Sequence, residues 1–249
     1  MAWARVQGVA STESSSAATT KSVSFGSTVS VGSVVCGVVS YDLTGGATVS
    51  SIQDDKGNSY NLEGSYIDDS GNGNRCIAFS RSNITNGPTT ITVTLTASEG
   101  YCGIIVDEFS GGSTASSDER DGTAHGGNLQ TSTNFGTDFY TSGSFTTATN
   151  GDLLYGVIIN TANNLSSNML VGTGFTVGTN SSWPDYSGKS EYRTQTTAGS
   201  GTAATFTWSG TTCSGSTFLI AMKPPGAGGA GVVGKFIGRN QSRVRASYW

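Results

Sequence analysis

Charge is scarce in this sequence. Asp, Glu, Lys and Arg supply 12% of its 249 residues, about half of what soluble proteins usually carry. Disorder usually comes with high net charge and few aromatics, whereas this chain has a net charge of −4 with 10 Phe, 9 Tyr and 4 Trp. Histidine is almost missing: His125 stands alone, and none of the four cysteines belongs to a CxxC pair. A structural zinc site of the usual ligand spacing is therefore excluded. No apolar run reaches the roughly 18 residues that a membrane-crossing helix needs. The opening MAWARVQGVASTESSS lacks the apolar segment of roughly 7–15 residues that marks a secretory leader, so a leader is not expected.

Glycine, by contrast, is abundant, at 36 residues, about twice the usual share. The periodicity is that of strands. TTITVTLTA sets Ile91, Val93 and Leu95 on one face against threonines on the other, and TAATFTWSG does the same with Ala204, Phe206 and Trp208. DDKGN, DDSGNGN, NGP and SGG supply turn chemistry between strands. No segment repeats apolar residues at helical spacing, so helix is minor or absent. Two stretches share one pattern at an offset of 119 residues: GSVVCGVVS (32–40) and GDLLYGVII (151–159). The Ser24-Phe25 and Ser144-Phe145 pairs precede them, and the runs GIIVDEF and STFLIAM close the two stretches. We therefore expect an all-β chain, an antiparallel β-sandwich of jelly-roll kind built from two divergent half-repeats. The expected division is an N-terminal arm over 1–19, a body over 20–225 with repeats at about 20–110 and 142–225, and an extended tail over 226–249. Each half is expected to hold four or five strands and to bury its apolar sheet face against the other. Residues 110–141 look like an excursion within one body.

These features resemble a β-sandwich repeat pattern found in bacterial surface proteins and phage structural proteins. The residues that carry the resemblance are GSVVCGVVSYD, VSSIQDDKGNSYNL, CIAFSRSNITNGPTTITVTL and GIIVDEFSGG in the first half. FTTATNGDLLYGVIIN and TFLIAMKPP carry it in the second. The resemblance implies a sandwich attached to a virion or cell surface, and no enzymatic activity.

Few residues suggest chemistry. Asp107 and Glu108 are adjacent in a strand and point to opposite faces, so they cannot together flank one sugar as glycosidase carboxylates do. DDSGNGN offers Asp68, Asp69, Asn72 and Asn74 as hard oxygen ligands but lacks the calcium-loop spacing and suits a hairpin turn better; DERDG (118–122) reads the same way. His125 sits among glycines with no GxSxG elbow to present a nucleophile, and is expected to be an exposed loop residue. No P-loop or dinucleotide fingerprint occurs. No cofactor and no metal are expected. Trp183, Tyr186 and Tyr192 lie in the polar stretch NSSWPDYSGKSEYR. There they either stack on a glycan or pin a long loop to the body. Cys36, Cys76, Cys102 and Cys213 each border an apolar run. They are buried small hydrophobes, or form one or two disulfides whose pairing the sequence does not choose.

The charge is unevenly placed. All 17 acidic residues precede Gly226, leaving a body of net −8 and a tail of +4. After a Gly-rich linker the tail carries Lys235, Phe236, Ile237, Arg239, Arg243, Arg245, Tyr248 and Trp249. Arg, Tyr and Trp dominate interface hot spots, so these eight residues are the expected partner-binding set; an unstructured end is the competing reading. Four cations make few phosphate contacts, and the body is acidic, so nucleic acid is not the expected partner. Nor is a membrane. The expectation is a non-enzymatic structural protein of a tailed phage. It would be displayed on the virion exterior as a decoration or cement protein and held to a major capsid or tail shell protein by a terminal segment. Copies would form an oligomer or a many-copy lattice, and host-surface glycans are a further expected partner. The alternative is a carbohydrate-binding module of a bacterial surface or secreted protein.

Overall fold

The computed structural model describes residues 2–131, 139–161, 168–208 and 213–226. Among them are sixteen strands and no α-helix. In the first half these are β1 (Ala4–Ala10), β2 (Ala18–Ser24), β3 (Val34–Asp42), β4 (Val49–Asp54), β5 (Asn61–Asp69), β6 (Asn74–Arg81), β7 (Thr90–Glu99) and β8 (Gly103–Ser110). The second half holds β9 (Arg120–Thr131), β10 (Phe139–Thr141), β11 (Leu153–Asn160), β12 (Met169–Val171), β13 (Thr176–Ser182), β14 (Ser187–Thr194), β15 (Thr205–Trp208) and β16 (Ser214–Met222).

The repeat seen in the sequence is complete in the topology. The first half forms a five-stranded sheet, β1-β8-β3-β6-β5, and a three-stranded sheet, β2-β7-β4. The second forms β9-β16-β11-β14-β13 and β10-β15-β12, the same orders with eight added to every strand number. All pairings are antiparallel. The order 1-8-3-6 facing 2-7-4 is that of a jelly roll; here the fifth strand stays on the larger sheet.

Each half is a full sandwich of eight strands, where four or five were expected. Between the sheets of the first half lie Val35, Val39, Phe79, Ile91, Val93, Ile104 and Val106. Leu154, Ile158, Phe206, Trp208 and Leu219 play that part in the second. A third core joins the two five-stranded sheets back to back: Val34, Cys36, Val38, Ala78 and Ile105 face Tyr155, Val157, Ile159, Phe218 and Ile220. The protein is thus four layers of three, five, five and three strands. Strands β3, β8, β11 and β16 bury both faces and therefore read as unbroken apolar runs.

Contacts between the halves come in matched pairs. β5 lies beside β9 and β13 beside β1; β3 faces β11; β8 meets β13 as β16 meets β5. Adding eight to each strand number turns one contact into its mate, which is the pattern of a two-fold, isologous interface.

Several boundaries differ from the sequence reading. Residues 1–19 are not an arm, because β1 hydrogen-bonds along β8 and Trp3 donates its indole N–H to the carbonyl of Gly151 at 2.8 Å. The first repeat starts at β1 and the second at β9, inside the region read as an excursion. Little alternation marks ARVQGVA or RDGTAHGGNLQT, since both run along sheet edges. The four cysteines are buried free thiols, and burial pushes their pKa values up.

The shared glycines of the repeat have a packing reason. Gly32 and Gly151 take φ of +84° and +87° in the turns that launch β3 and β11, a region where L side chains are strained. A Cβ on Gly37 would lie 2.5 Å from the Phe79 ring and 2.6 Å from the Ile105 carbonyl oxygen. On Gly156 it would lie 2.6 Å from Ala204 Cβ. Gly37→Ala and Gly156→Ala are each expected to lower stability by about 1–3 kcal/mol through overpacking. Urea melts read this as a lower midpoint at constant slope; an unchanged midpoint would sink the assignment.

Candidate functional site

The strand directions gather four connections of the first half, β1–β2, β3–β4, β5–β6 and β7–β8, at one end. There Asp42 N–H donates to the Gly100 carbonyl at 3.0 Å, Leu43 N–H to that of Gly73 at 2.8 Å, and Ser14 bridges Cys102. The β13–β14 hairpin of the second half lands on the same spot. Trp183 donates its indole N–H to the Ser11 carbonyl at 2.7 Å, and Asp185 N–H donates to Glu13 Oε2 at 3.0 Å. The Asn72 amide donates to Ser214 Oγ at 3.3 Å. We call this end the loop pole. Trp3, Ser110, Gly151, Met222 and Lys223 lie at the other end, where β1 and β11 begin and β8 and β16 finish.

Across the seam at the loop pole lies a pocket of about 330 Å³, lined by Asp42, Thr44, Asn72, Gly73, Tyr101, Asp185 and Tyr186. Asp42 Oδ1 accepts from the backbone N–H and the hydroxyl of Thr44 at 2.9 and 2.6 Å, which fixes that turn. Tyr101 adopts φ +50°, an uncommon conformation for a bulky residue and one that accompanies functional sites. The Tyr186 phenol is pushed up by burial first, then by Cys76, Asp42, Glu13 and Asp185. Glu13 is raised by loss of solvent, and its Oε1 is buried without a hydrogen-bond partner. No lysine, arginine or histidine lines the pocket.

The aromatic stretch at 183–192 is not a sugar-stacking surface. Trp183 is 3% exposed and fits over Gly103, where a Cβ would come within 2.7 Å of its ring. Tyr186 is 7% exposed, and Tyr192 packs edge-on against Phe109 at 5.2 Å. Trp183 pins the hairpin to the first half. The eight tail residues from Lys235 to Trp249 lie outside the described residues.

Elsewhere the acids serve the fold. Asp107 and Glu108 are both fully buried and point to opposite sides. Glu108 accepts from Gln7, Ser30 N–H and Ser33 at 2.7–2.8 Å. Asp107 faces the second half and accepts from Arg5, Thr179 and Ser190 at 2.6–2.7 Å and from Tyr155 at 3.1 Å. On the opposite seam Arg120 donates to Glu63 at 3.0 Å and pairs with Asp118 at 2.6 Å. Arg5 also donates to Thr179 of the second half at 2.9 Å, so each half sends an arginine from its first strand across the interface. DDSGNGN forms the β5–β6 hairpin, with Asp68 paired to Arg75 at 2.6 Å and Asp69 accepting from Asn72 at 2.8 Å. His125 is half-buried on β9, where a loop residue was expected. Burial first and then Arg120 lower its pKa. Among the described residues no group of three or more His, Cys, Asp and Glu side chains is placed to hold a metal ion.

Of the pocket's residues, the sequence had singled out Asn72 and Tyr186. Asp42, Thr44, Tyr101 and Asp185 were missed, since they come from three separate connections. Asp185, two residues beyond Trp183, was the one nearby signal. Comparison with protein-family models, curated proteins and solved structures finds no match, and the function is read from this geometry.

Proposed function

We propose that this chain is a non-enzymatic structural protein of a tailed-phage particle. It is displayed on the head or tail exterior and held to a shell protein by residues 226–249. The observation that carries the reading is the polarity of the body. Strand β16 starts at the loop pole and ends at Met222, so Pro224 and Pro225 deliver the tail at the pole opposite the pocket. A basic, aromatic segment leaving one pole suits docking to an acidic or apolar groove, and the loop pole then faces outward. Ordering such a tail costs roughly 1–2 kcal/mol per residue, which apolar burial by Phe236, Ile237, Tyr248 and Trp249 offsets. Many copies on one lattice add avidity. Jelly rolls serve in viral capsids and in lectins; this support is by analogy of fold. The non-enzymatic part rests on the use of Asp107, Glu108 and Glu63 in buried hydrogen-bond networks. The pocket also favours a second reading, a carbohydrate-binding module of a surface or secreted protein, in which the tail is incidental.

Full-length chain and a version ending at Pro225 are mixed with shells of the source particle stripped of this protein, then sedimented. We expect only the full-length chain to pellet, with release by salt as exposed ion pairs are screened. Equal behaviour of the two versions would overturn the anchoring role of the tail.

A further inference from the structure

The geometry points to the loop-pole pocket as a binding site for a neutral or N-acetylated sugar, held directly and without a metal ion. Its volume of about 330 Å³ is at the lower end of the range for ligand pockets, roughly 300–1,000 Å³, enough for a monosaccharide or the end of a glycan chain.

The lining supplies what a pyranose needs. Such a ring carries neighbouring hydroxyls that donate and accept, and a C–H face that prefers an aromatic neighbour. Carboxylates accept from two hydroxyls at once, a carboxamide both donates and accepts, and a tyrosine ring offers its face to the C–H side. Asp42 and Asp185 provide the carboxylates, Asn72, whose N–H₂ is engaged by Asp69 and Ser214, provides its Oδ1 as an acceptor, and the half-exposed Tyr101 provides the ring. The left-handed backbone of Tyr101 marks a side chain placed at some conformational cost. Burial keeps Tyr186 protonated, so it donates or accepts as a phenol. Behind Asp185, whose backbone N–H donates to Glu13 Oε2 at 3.0 Å, the Glu13 carboxyl adds to the acidic surroundings of the pocket without lining it.

That field selects. With two carboxylates and no cation on the lining, sialic acids, uronic acids and phosphorylated sugars are repelled. The same pattern argues against a peptide carboxylate or an anionic phosphate group. A calcium-bridged sugar would need a denser oxygen cage, six to eight ligands as a rule.

Full-length chain is tested by saturation-transfer NMR against glucose, galactose, mannose, N-acetylglucosamine, N-acetylneuraminate and glucuronate, each with and without EDTA. We expect transfer to at least one uncharged sugar, N-acetylglucosamine included, and none to the two acids, with EDTA making no difference. The dissociation constant should be on the order of 1 mM, as befits so few ligand atoms. Asp185 is exposed, so Asp185→Ala should leave the melting temperature alone while weakening binding about tenfold or more, the loss of a charged hydrogen bond. Tyr101→Ala should remove the transfer to ring C–H protons. No transfer to any neutral sugar, equal binding by Asp185→Ala, or loss of binding in EDTA would each overturn the proposal. It does not rest on the tail: a chain ending at Pro225 keeps the pocket, so shell binding and sugar binding fail separately.

Discussion

Replacing Asp107 by alanine is expected to lower folding stability by about 3–5 kcal/mol, the range for breaking a buried charged pair from one side. Asp107 is fully buried and accepts hydrogen bonds from Arg5 on β1, Thr179 on β13, Ser190 on β14 and Tyr155 on β11. Removing the carboxylate leaves one guanidinium and three hydroxyls without their acceptor at the seam between the halves. Leaving buried donors unmet costs more than the net worth of the bonds themselves. Asp107→Asn keeps the shape but turns an N–H₂ toward groups that already donate, so an intermediate loss is expected. Urea unfolding followed by tryptophan fluorescence checks both variants. A loss below about 1 kcal/mol for alanine, the level of an exposed pair, would sink the keystone role. Arg5→Ala in the same background should add little, because the two side chains share one network.

The second large effect depends on pH. Asp152 and Asp121 are both buried at the pole opposite the pocket. Burial works to raise the Asp121 pKa, but the hydrogen bond from Asp152 and those from the N–H groups of Ala148 and Thr149 outweigh it and hold that pKa down. Neither oxygen of Asp152 meets a donor. Burial first, and then the charge of Asp121, push its pKa up to about 8, with Lys223 opposing. Asp152 therefore keeps its proton and gives it to Asp121 as a hydrogen bond. In the unfolded chain Asp152 ionises near its ordinary value of 3.8. Because its folded pKa lies above the unfolded one, the native state binds the extra proton between those values. Its contribution is fully present below pH 3.8 and is lost as pH rises toward about 8. At about 1.4 kcal/mol per pH unit the ceiling is roughly 5–6 kcal/mol. Partial solvation reduces the expected difference to about 3 kcal/mol. Asp152→Asn, which keeps a donor toward Asp121 without an ionisable proton, should match the parent at pH 4 and exceed it by that amount at pH 8.5. Parallel stability curves for the two proteins would show that the pair does not share a proton.

Much of the fold was legible because solvent touches one face of the outer strands. β7 and β15 alternate cleanly for that reason. The inner strands β3, β8, β11 and β16 have a core on either side, so they lost their period but kept their length and composition, and through these the repeat was visible. Edge strand β9 carries Gly, Thr and Asn in place of an apolar face, and edge strand β1 mixes Arg5 and Gln7 with small apolar residues, so the two passed for an excursion and an arm. The opposite-face reading of Asp107 and Glu108 needed nothing beyond strand alternation, and the hydrogen bonds follow it. For Trp183 the sequence left a glycan platform and a loop pin both open, because its neighbours in sequence are polar; the neighbour that decides for the pin, Gly103, is far away along the chain. The pocket left no local motif, since its residues span positions 42–186 and meet only when the two halves dock.

A two-fold pair of separate chains must repeat every change of sequence on both sides of its axis. Covalent linkage of the halves removes that constraint. Hairpin β5–β6 and hairpin β13–β14 occupy equivalent places, yet one carries Asn72 and Gly73 and the other Trp183, Asp185 and Tyr186. Mutation can therefore tune one wall of the cleft while the opposite wall stays as it is, a freedom that an assembled dimer of identical subunits does not have.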